Sequence, residues 1–398
     1  MRLRYIDGLR AYAVLAVVAA HHSLFLIPAS MGVTIFFVIS GFVITRLLIK
    51  EYQHSDGFRA KAFFARRGLK IIPPFLVAIT IPTLILWPTS NFNPFGVISQ
   101  HFFYYNWYQI GHYSATTSIN SSVLPGSQVV WSLAVEEQFY ILVAIVWLLF
   151  SHRHNSVRVL RYAYLSAFFG SMVIRYFVSM NGHFERNAAE GVSRIVWGTD
   201  CRLSSIALGG LLAIATSGEK PLLASKNWIL DFIHRFGKYF FVLGFLLIFL
   251  THFTHKIFGQ TFGDVFDLTF QECASFLLIA TGLAQHGWPN WIRKVTESKP
   301  IQVIGLASYS IYLSHDVFRQ LVTVKLLHLD TNELLRIGGI IPVFHGFANI
   351  FPGLIIAAIV SIIPGLIIHQ IADAPMEKFR KRWRIQSKEV EAIASTSS

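Results

Sequence analysis

Long apolar runs separated by short polar and basic segments dominate the chain. Several runs approach or exceed the roughly 18–20 residues that a bilayer crossing demands. The runs near 10–29, 33–50, 72–89, 131–150, 159–179, 201–217, 238–253, 268–286, 301–327 and 352–371 predict an all-α, polytopic membrane bundle of about ten helices. Between them, Glu51–Lys70, Ser151–Arg161, Gly218–Lys238, Gly287–Pro300 and the tail from Lys378 all carry Lys or Arg. Basic loops stay on the cytoplasmic side, so both termini are expected there. The aromatic run His101–Tyr108 reads as an interfacial or re-entrant outer piece, because another span at that point would invert everything after it. Pro342, Pro352 and Pro364 interrupt the stretch 338–371, whose first part is expected to be broken or interfacial. One transmembrane domain over 1–377 is expected, with 378–398 a basic then polar cytoplasmic tail, disordered and followed by no soluble domain.

Composition supports this frame: 54% of residues are hydrophobic and only 14% charged, where a soluble domain carries about 25% charge. The net charge of +13 could suggest nucleic acid, but the basic residues sit in the short loops, as a membrane topology requires. No nucleic-acid partner is expected. Arg2 and Arg4 ahead of an apolar run resemble a secretory leader, yet Asp7, Arg10 and His21-His22 interrupt it, so the helix is read as retained. Cys201 and Cys273 lack the spacing of a metal site or disulfide framework and read as packing residues. No internal repeat and no metal motif is visible, so neither metal dependence nor a bound cofactor is expected.

The candidate chemistry begins on the first run. Eleven helical steps of about 100° return to within about 20° of the start, so Arg10 and His21 share a face, with Asp7 three residues before Arg10. His21 then lies ~16 Å deeper than Arg10 along the helix. An ionisable group at that depth is a functional-site candidate by default, although an Asp7–Arg10 entry pair and a hydrogen-bonded His21 would also explain it. His22 points about 120° away from Arg10 and is read as a packing residue.

Further polar groups follow. Arg67 and Lys70, three apart before Pro73, would project together at helical spacing and suit a phosphate-bearing ligand, or simply anchor to headgroups. In Trp131–Tyr140, Glu136 and Glu137 enter a bilayer about 100° apart, so at most one can easily face a shared site. Ser308, Tyr312, His315 and Arg319 recur at steps of four, three and four as one polar stripe, which fits interhelical hydrogen bonds as well as a substrate entrance.

Together, the Arg10/His21 pair, Gly32-Val-Thr-Ile-Phe-Phe-Val-Ile-Ser-Gly-Phe-Val-Ile, the Arg67/Lys70 segment, Trp131–Tyr140 and Ser308-Tyr-Ser-Ile-Tyr-Leu-Ser-His resemble the acyltransferase-3 family of integral-membrane O-acyltransferases. The motifs occur in the family's order from Tyr5 to about Lys381. Two departures stand out. Lys70 occupies a position where the family has a second Arg, and Ser204 one where an acidic residue is common.

The resemblance implies transfer of an acyl group, acetyl above all, from cytoplasmic acyl-CoA to a hydroxyl of a cell-surface or lipid-linked carbohydrate of O-antigen or exopolysaccharide type. The expected setting is a bacterial inner membrane, as a multi-pass protein. Catalytic candidates are His21, Glu136 and Asp7, with His21 as general base or transient acyl carrier and Glu136 orienting or balancing it. Arg10, Arg67 and Lys70 are expected to bind acyl-CoA; Trp131, Arg202, Tyr312 and His315 are expected to bind acceptor. A transporter or flippase moving a glycolipid or small solute is the alternative, since intramembrane His, Glu and Arg serve transport too. Oligomeric state is not encoded legibly.

Overall fold

The computed structural model describes residues 3–22, 29–54, 60–112, 123–150, 156–184, 194–217, 228–284, 287–322 and 358–379. Among these, regular structure is helical throughout, with no strand. The readings of 380–398 as a disordered tail and of Pro342 and Pro352 as breaks lie outside the described residues. Six helices are long and apolar enough to cross a membrane: Ser30–Glu51, Ala60–Thr89, Ser127–Phe150, Ser156–Asn181, Asp231–Thr251 and Ile359–Phe379. Exposed Leu84, Ile85, Leu149, Val242 and Phe245 on these segments suit acyl chains and would be costly in water. The chain is a membrane protein.

It divides into two compact units. The first holds α1 (Arg4–His21), α2 (Ala29–His54), α5 (Pro94–His101), α6 (Tyr105–His112), α7 (Val130–Phe150), α8 (Ser156–Phe184), α9 (Thr199–Thr216), α10 (Trp228–Thr251), α11 (Thr254–Leu283) and α12 (Asn290–Thr296). The second holds α3 (Ala60–Phe75), α4 (Ile81–Leu86), α14 (Ile363–Ile368) and most of α13 (Lys299–Gln320).

In the first unit, α2 packs most extensively on α9 and also on α1, while α10 pairs with α11 and α8 with α9. Tyr5, Leu9 and Ala13 of α1, Ile35, Val38 and Phe42 of α2, Leu212 of α9 and Leu278 of α11 share one apolar core. The α2–α9 crossing depends on small residues. A Cβ on Gly209 would lie 1.9 Å from the Val38 carbonyl oxygen, and one on Gly41 would lie 1.8 Å from the Ile206 oxygen. Neither backbone can retreat cheaply, as in other tight membrane helix crossings. Gly209→Leu should therefore separate the helices and cost about 1–3 kcal/mol, read as a lowered unfolding temperature in detergent.

The amino end of α1 is anchored by polar contacts. Arg4 Nη2 donates to the Glu297 carbonyl at 2.6 Å, Gln302 Nε2 donates to the Arg4 carbonyl at 2.8 Å, and the Tyr12 and Thr296 hydroxyls lie 3.1 Å apart. Helices α5 and α6, each eight residues, are too short to cross. Asn93 Oδ1 caps α5 by accepting from the Phe95 and Gly96 amides at 2.9 and 3.4 Å. Within α11, Gly259 takes φ 72°, a left-handed geometry that breaks the helix in two.

The second unit differs from the sequence reading around Pro73. The pattern predicts a loop entering a span near 72, whereas α3 already starts at Ala60 and runs through Pro73 and Pro74. A π-turn at Leu76–Thr80 follows directly and leads into α4. Each proline removes an N–H donor from the helical ladder, and a change of register shortly afterwards is a known way to absorb that. Tyr309 OH of α13 donates to the Ile71 carbonyl of α3 at 3.1 Å.

Candidate active site

The polar residues of α1 are spread along its axis. Asp7 is buried in the first turn, Arg10 is half-buried a turn later, and His21 is half-buried in the last turn. At the usual rise, His21 stands ~16 Å from Arg10 and ~21 Å from Asp7 along the axis, so these groups address different parts of any ligand. His22 falls just outside the helix, its amide donating to the Val18 and Ala19 carbonyls at 3.1 Å each.

Glu136 lies on α7, where Tyr140 OH donates to its Oε2 at 2.9 Å. The Tyr140 oxygen in turn meets the Ser40 hydroxyl of α2. Because a tyrosine carries one proton, Ser40 donates to Tyr140 and Tyr140 donates to Glu136.

Trp131 and Arg202 come together although 71 positions separate them. The Arg202 guanidinium lies 5.6 Å from the centroid of the Trp131 ring, whose edge contact with Phe37 is at 6.1 Å. Arg202 is fully buried; its Nε donates to the Val196 carbonyl at 2.8 Å and its Nη1 to Thr34 Oγ1 at 3.3 Å. Thr34 Oγ1 also lies 3.2 Å from Gln271 Oε1, which accepts from Ser30 Oγ at 2.9 Å, and Gln271 Nε2 donates to Asp267 at 3.0 Å.

Beside this arginine lies a network that sequence reasoning did not find. Arg175 of α8 pairs with Glu272 of α11 at 3.3 Å, both side chains fully buried. Glu272 Oε1 accepts from Ser204 at 2.5 Å and Ser205 at 2.8 Å, and Arg175 Nη2 also donates to Ser204 Oγ at 3.1 Å. Ser171, Arg175 and Ser179 form a stripe at steps of four on α8, with Ser171 Oγ on the Asp200 carbonyl and Ser179 Oγ on Asp264, each at 2.6 Å. The departure at Ser204 now has a physical account, because α11 supplies a carboxylate against that serine. The sequence signal was Gln271-Glu272 inside an apolar run, which is costly unless the pair faces partners.

At the start of α9, Arg194 binds Asp200 at 2.7 Å, and this hydrogen bond holds the guanidinium above its ordinary pKa range. Asn106, Gln138 and Thr199 interlock nearby: Asn106 Nδ2 donates to Thr199 Oγ1 at 2.9 Å, Thr199 Oγ1 to Gln138 Oε1 at 2.5 Å, and Gln138 Nε2 to Asn106 Oδ1 at 3.0 Å. A cavity of about 430 Å³ is lined by Trp107, Gln138, Thr199 and Asp200 on its polar side and by Ile141, Leu142 and Leu203 on its apolar side.

In the second unit, Arg67 and Lys70 are half-buried, three residues apart on α3. Tyr312 and His315 are buried on α13 with ring centroids 5.8 Å apart. His315 Nδ1 lies 2.7 Å from the Tyr312 carbonyl oxygen, which accepts a proton from it. Arg319 pairs with Asp316 at 2.6 Å, and Ser361 Oγ donates to the His315 carbonyl at 3.0 Å.

A protein of Staphylococcus aureus (strain COL) named "Putative O-acetyltransferase SACOL0978" is 31% identical over 365 residues, which cover 88% of this chain and 55% of that protein. O-acetyltransferase OatA of Staphylococcus aureus (strain NCTC 8325 / PS 47) is 29% identical over 320 residues, 78% of this chain and 49% of its own length. The chain thus spans about half the length of the curated relatives it matches. No solved structure matches it. A family model described as an acyltransferase domain matches residues 3–369, nearly the whole sequence, and the chain belongs to the acyltransferase-3 family of membrane proteins.

Proposed function

We propose that the chain transfers an acetyl group from cytoplasmic acetyl-CoA to a hydroxyl of a cell-surface or lipid-linked carbohydrate, of O-antigen or exopolysaccharide type, in a bacterial inner membrane. The observation that carries this reading is the family match over 3–369 together with relatives named O-acetyltransferases. His21 is the group for the chemistry. As general base it takes the hydroxyl proton while the oxygen attacks the thioester carbonyl; the new C–O bond forms, the C–S bond breaks, and the proton passes to the leaving sulfur. As acyl carrier it would hold the acetyl group between two such displacements. Glu136, an acceptor in the Ser40–Tyr140 chain, orients or balances the imidazole in this reading, and Asp7 supports the α1 entrance.

Arg67 and Lys70 would meet the phosphates of CoA from α3, Arg67 through its planar fork and Lys70 as a point charge, with Arg10 assisting near the mouth. Trp131, Arg202, Tyr312 and His315 would face the acceptor, the aromatic rings offering flat faces to sugar C–H groups and the polar groups hydrogen bonds to hydroxyls. A direct test uses the purified protein in nanodiscs with acetyl-CoA and a glycan acceptor. Release of CoA thiol should match, mole for mole, the formation of base-labile ester on the glycan. Movement of glycolipid without thiol release would overturn the proposal.

A further inference from the structure

Arg202 is a buried cation whose described hydrogen-bond and ring partners are all uncharged. They are the Val196 carbonyl, the Thr34 hydroxyl and the Trp131 ring. Its Nη2 has no hydrogen-bond partner among the described residues. The neighbouring acids are engaged elsewhere: Glu272 with Arg175, Ser204 and Ser205; Asp200 with Arg194 and the Cys201 amide; Asp267 with Gln271. Arg175 is a second fully buried cation of the same network, and its Nη1 is likewise without a partner among the described residues.

Two terms make this arrangement expensive as it stands. A buried guanidinium that no carboxylate hydrogen-bonds, with Glu272 and Asp267 acting on it only at longer range, is short of the hydration it gave up. Arg202 also sits in the first turn of α9, the positive end of the helix dipole, where a cation is disfavoured and an anion welcome. Thr34 in the second turn of α2 and Trp131 in the first turn of α7 bring two more helix starts to the same place. An anion there would relieve all of these at once.

The direction of approach follows from the charges. From the Arg202 end, α2 runs to Arg46 and Lys50, and α7 runs toward the segment that precedes Arg158 and Arg161. Basic residues mark the cytoplasmic side, so Arg202 lies toward the opposite side, where the acceptor arrives. The 430 Å³ cavity is lined by Thr199, Asp200 and Leu203, which share a helical turn of α9 with Arg202.

We propose that Arg202 Nη2 receives a carboxylate or phosphate oxygen of the acceptor beside the Trp131 ring, so that the acceptor is an anionic carbohydrate. This rests on the acyl-transfer reading above. The full chain in nanodiscs would be given labelled acetyl-CoA and three forms of one oligosaccharide: neutral, carrying one uronic carboxylate, and carrying a prenyl diphosphate. Wild type should prefer at least one charged form by about tenfold in kcat/KM, a modest share of what a charge-assisted hydrogen bond supplies. Whichever charged form is preferred identifies the source of the anion.

Arg202→Gln should raise KM for the charged forms about tenfold more than for the neutral form and so erase the preference, and Arg202→Lys should retain part of it. In parallel, sodium glucuronate or pyrophosphate should raise the unfolding temperature of wild type above sodium chloride of equal ionic strength, and not that of Arg202→Gln. Labelling without any charge preference, or equal loss on all three forms in both variants, would overturn the anion site and leave the acyl-transfer reading standing. Anion-specific stabilisation with no acceptor labelled would have the opposite meaning.

Discussion

Replacing His21 with alanine should lower acetyl transfer by about a hundredfold or more, the usual loss when a general base is removed, while the protein still folds. The packing face of α1 is made by Tyr5, Ile6, Leu9 and Ala13, whereas His21 is half-buried in the last turn, so its loss opens no core cavity. The readout is kcat/KM at matched protein, with acetyl-CoA binding followed separately. If the phosphates are held by Arg10, Arg67 and Lys70, donor affinity in His21→Ala should stay within about twofold, because no binding group has been removed. Label retained on wild-type protein without acceptor, and absent from His21→Ala, would select the acyl-carrier route over general base.

The largest effect on stability should come from Glu272→Ala. That change leaves Arg175 buried without its carboxylate and removes the acceptor of Ser204 and Ser205. Breaking one side of a buried ion pair costs about 3–5 kcal/mol. Glu272→Gln, which keeps an acceptor oxygen but not the charge, should fall between. The double variant Arg175→Met with Glu272→Leu should be less damaging than Glu272→Ala alone, since Arg175 no longer remains as a buried charge without its carboxylate. Thermal unfolding of the four proteins in one detergent decides this, and a double variant worse than the single would show that the pair contributes more than mutual neutralisation.

What could be read from the sequence was local. Periodicity reports one face of one helix, which is why Arg10 and His21, Arg67 and Lys70, and the Ser308–Arg319 stripe were visible, and why each lies on a single helix of the fold. Arg175 and Glu272 are 97 positions apart, on α8 and α11, and no spacing rule connects them. The approach of Trp131 on α7 to Arg202 on α9 is likewise a product of helix packing.

The span count shows the same limit. α1, α9, α11 and α13 were read as spans yet are not among the six apolar helices, because Asp7 and Arg10, Asp200 and Arg202, Gln271 with Glu272, and Ser308, Ser310, Ser314, His315 and Asp316 lower their apolar character. Those residues are the ones the interior uses. Pro73 misled for a different reason: proline argues for a helix boundary, but a π-turn shortly after it lets the helix continue.

The most direct measurement of the central claim is incorporation of label from radioactive acetyl-CoA into the glycans of membranes that contain wild type or His21→Ala at equal abundance. The account predicts base-labile label on glycan with wild type and about a hundredfold less with the variant. Equal labelling in both would remove His21 from the chemistry, and no labelling by wild type across neutral and anionic acceptors would contradict acetyl transfer itself.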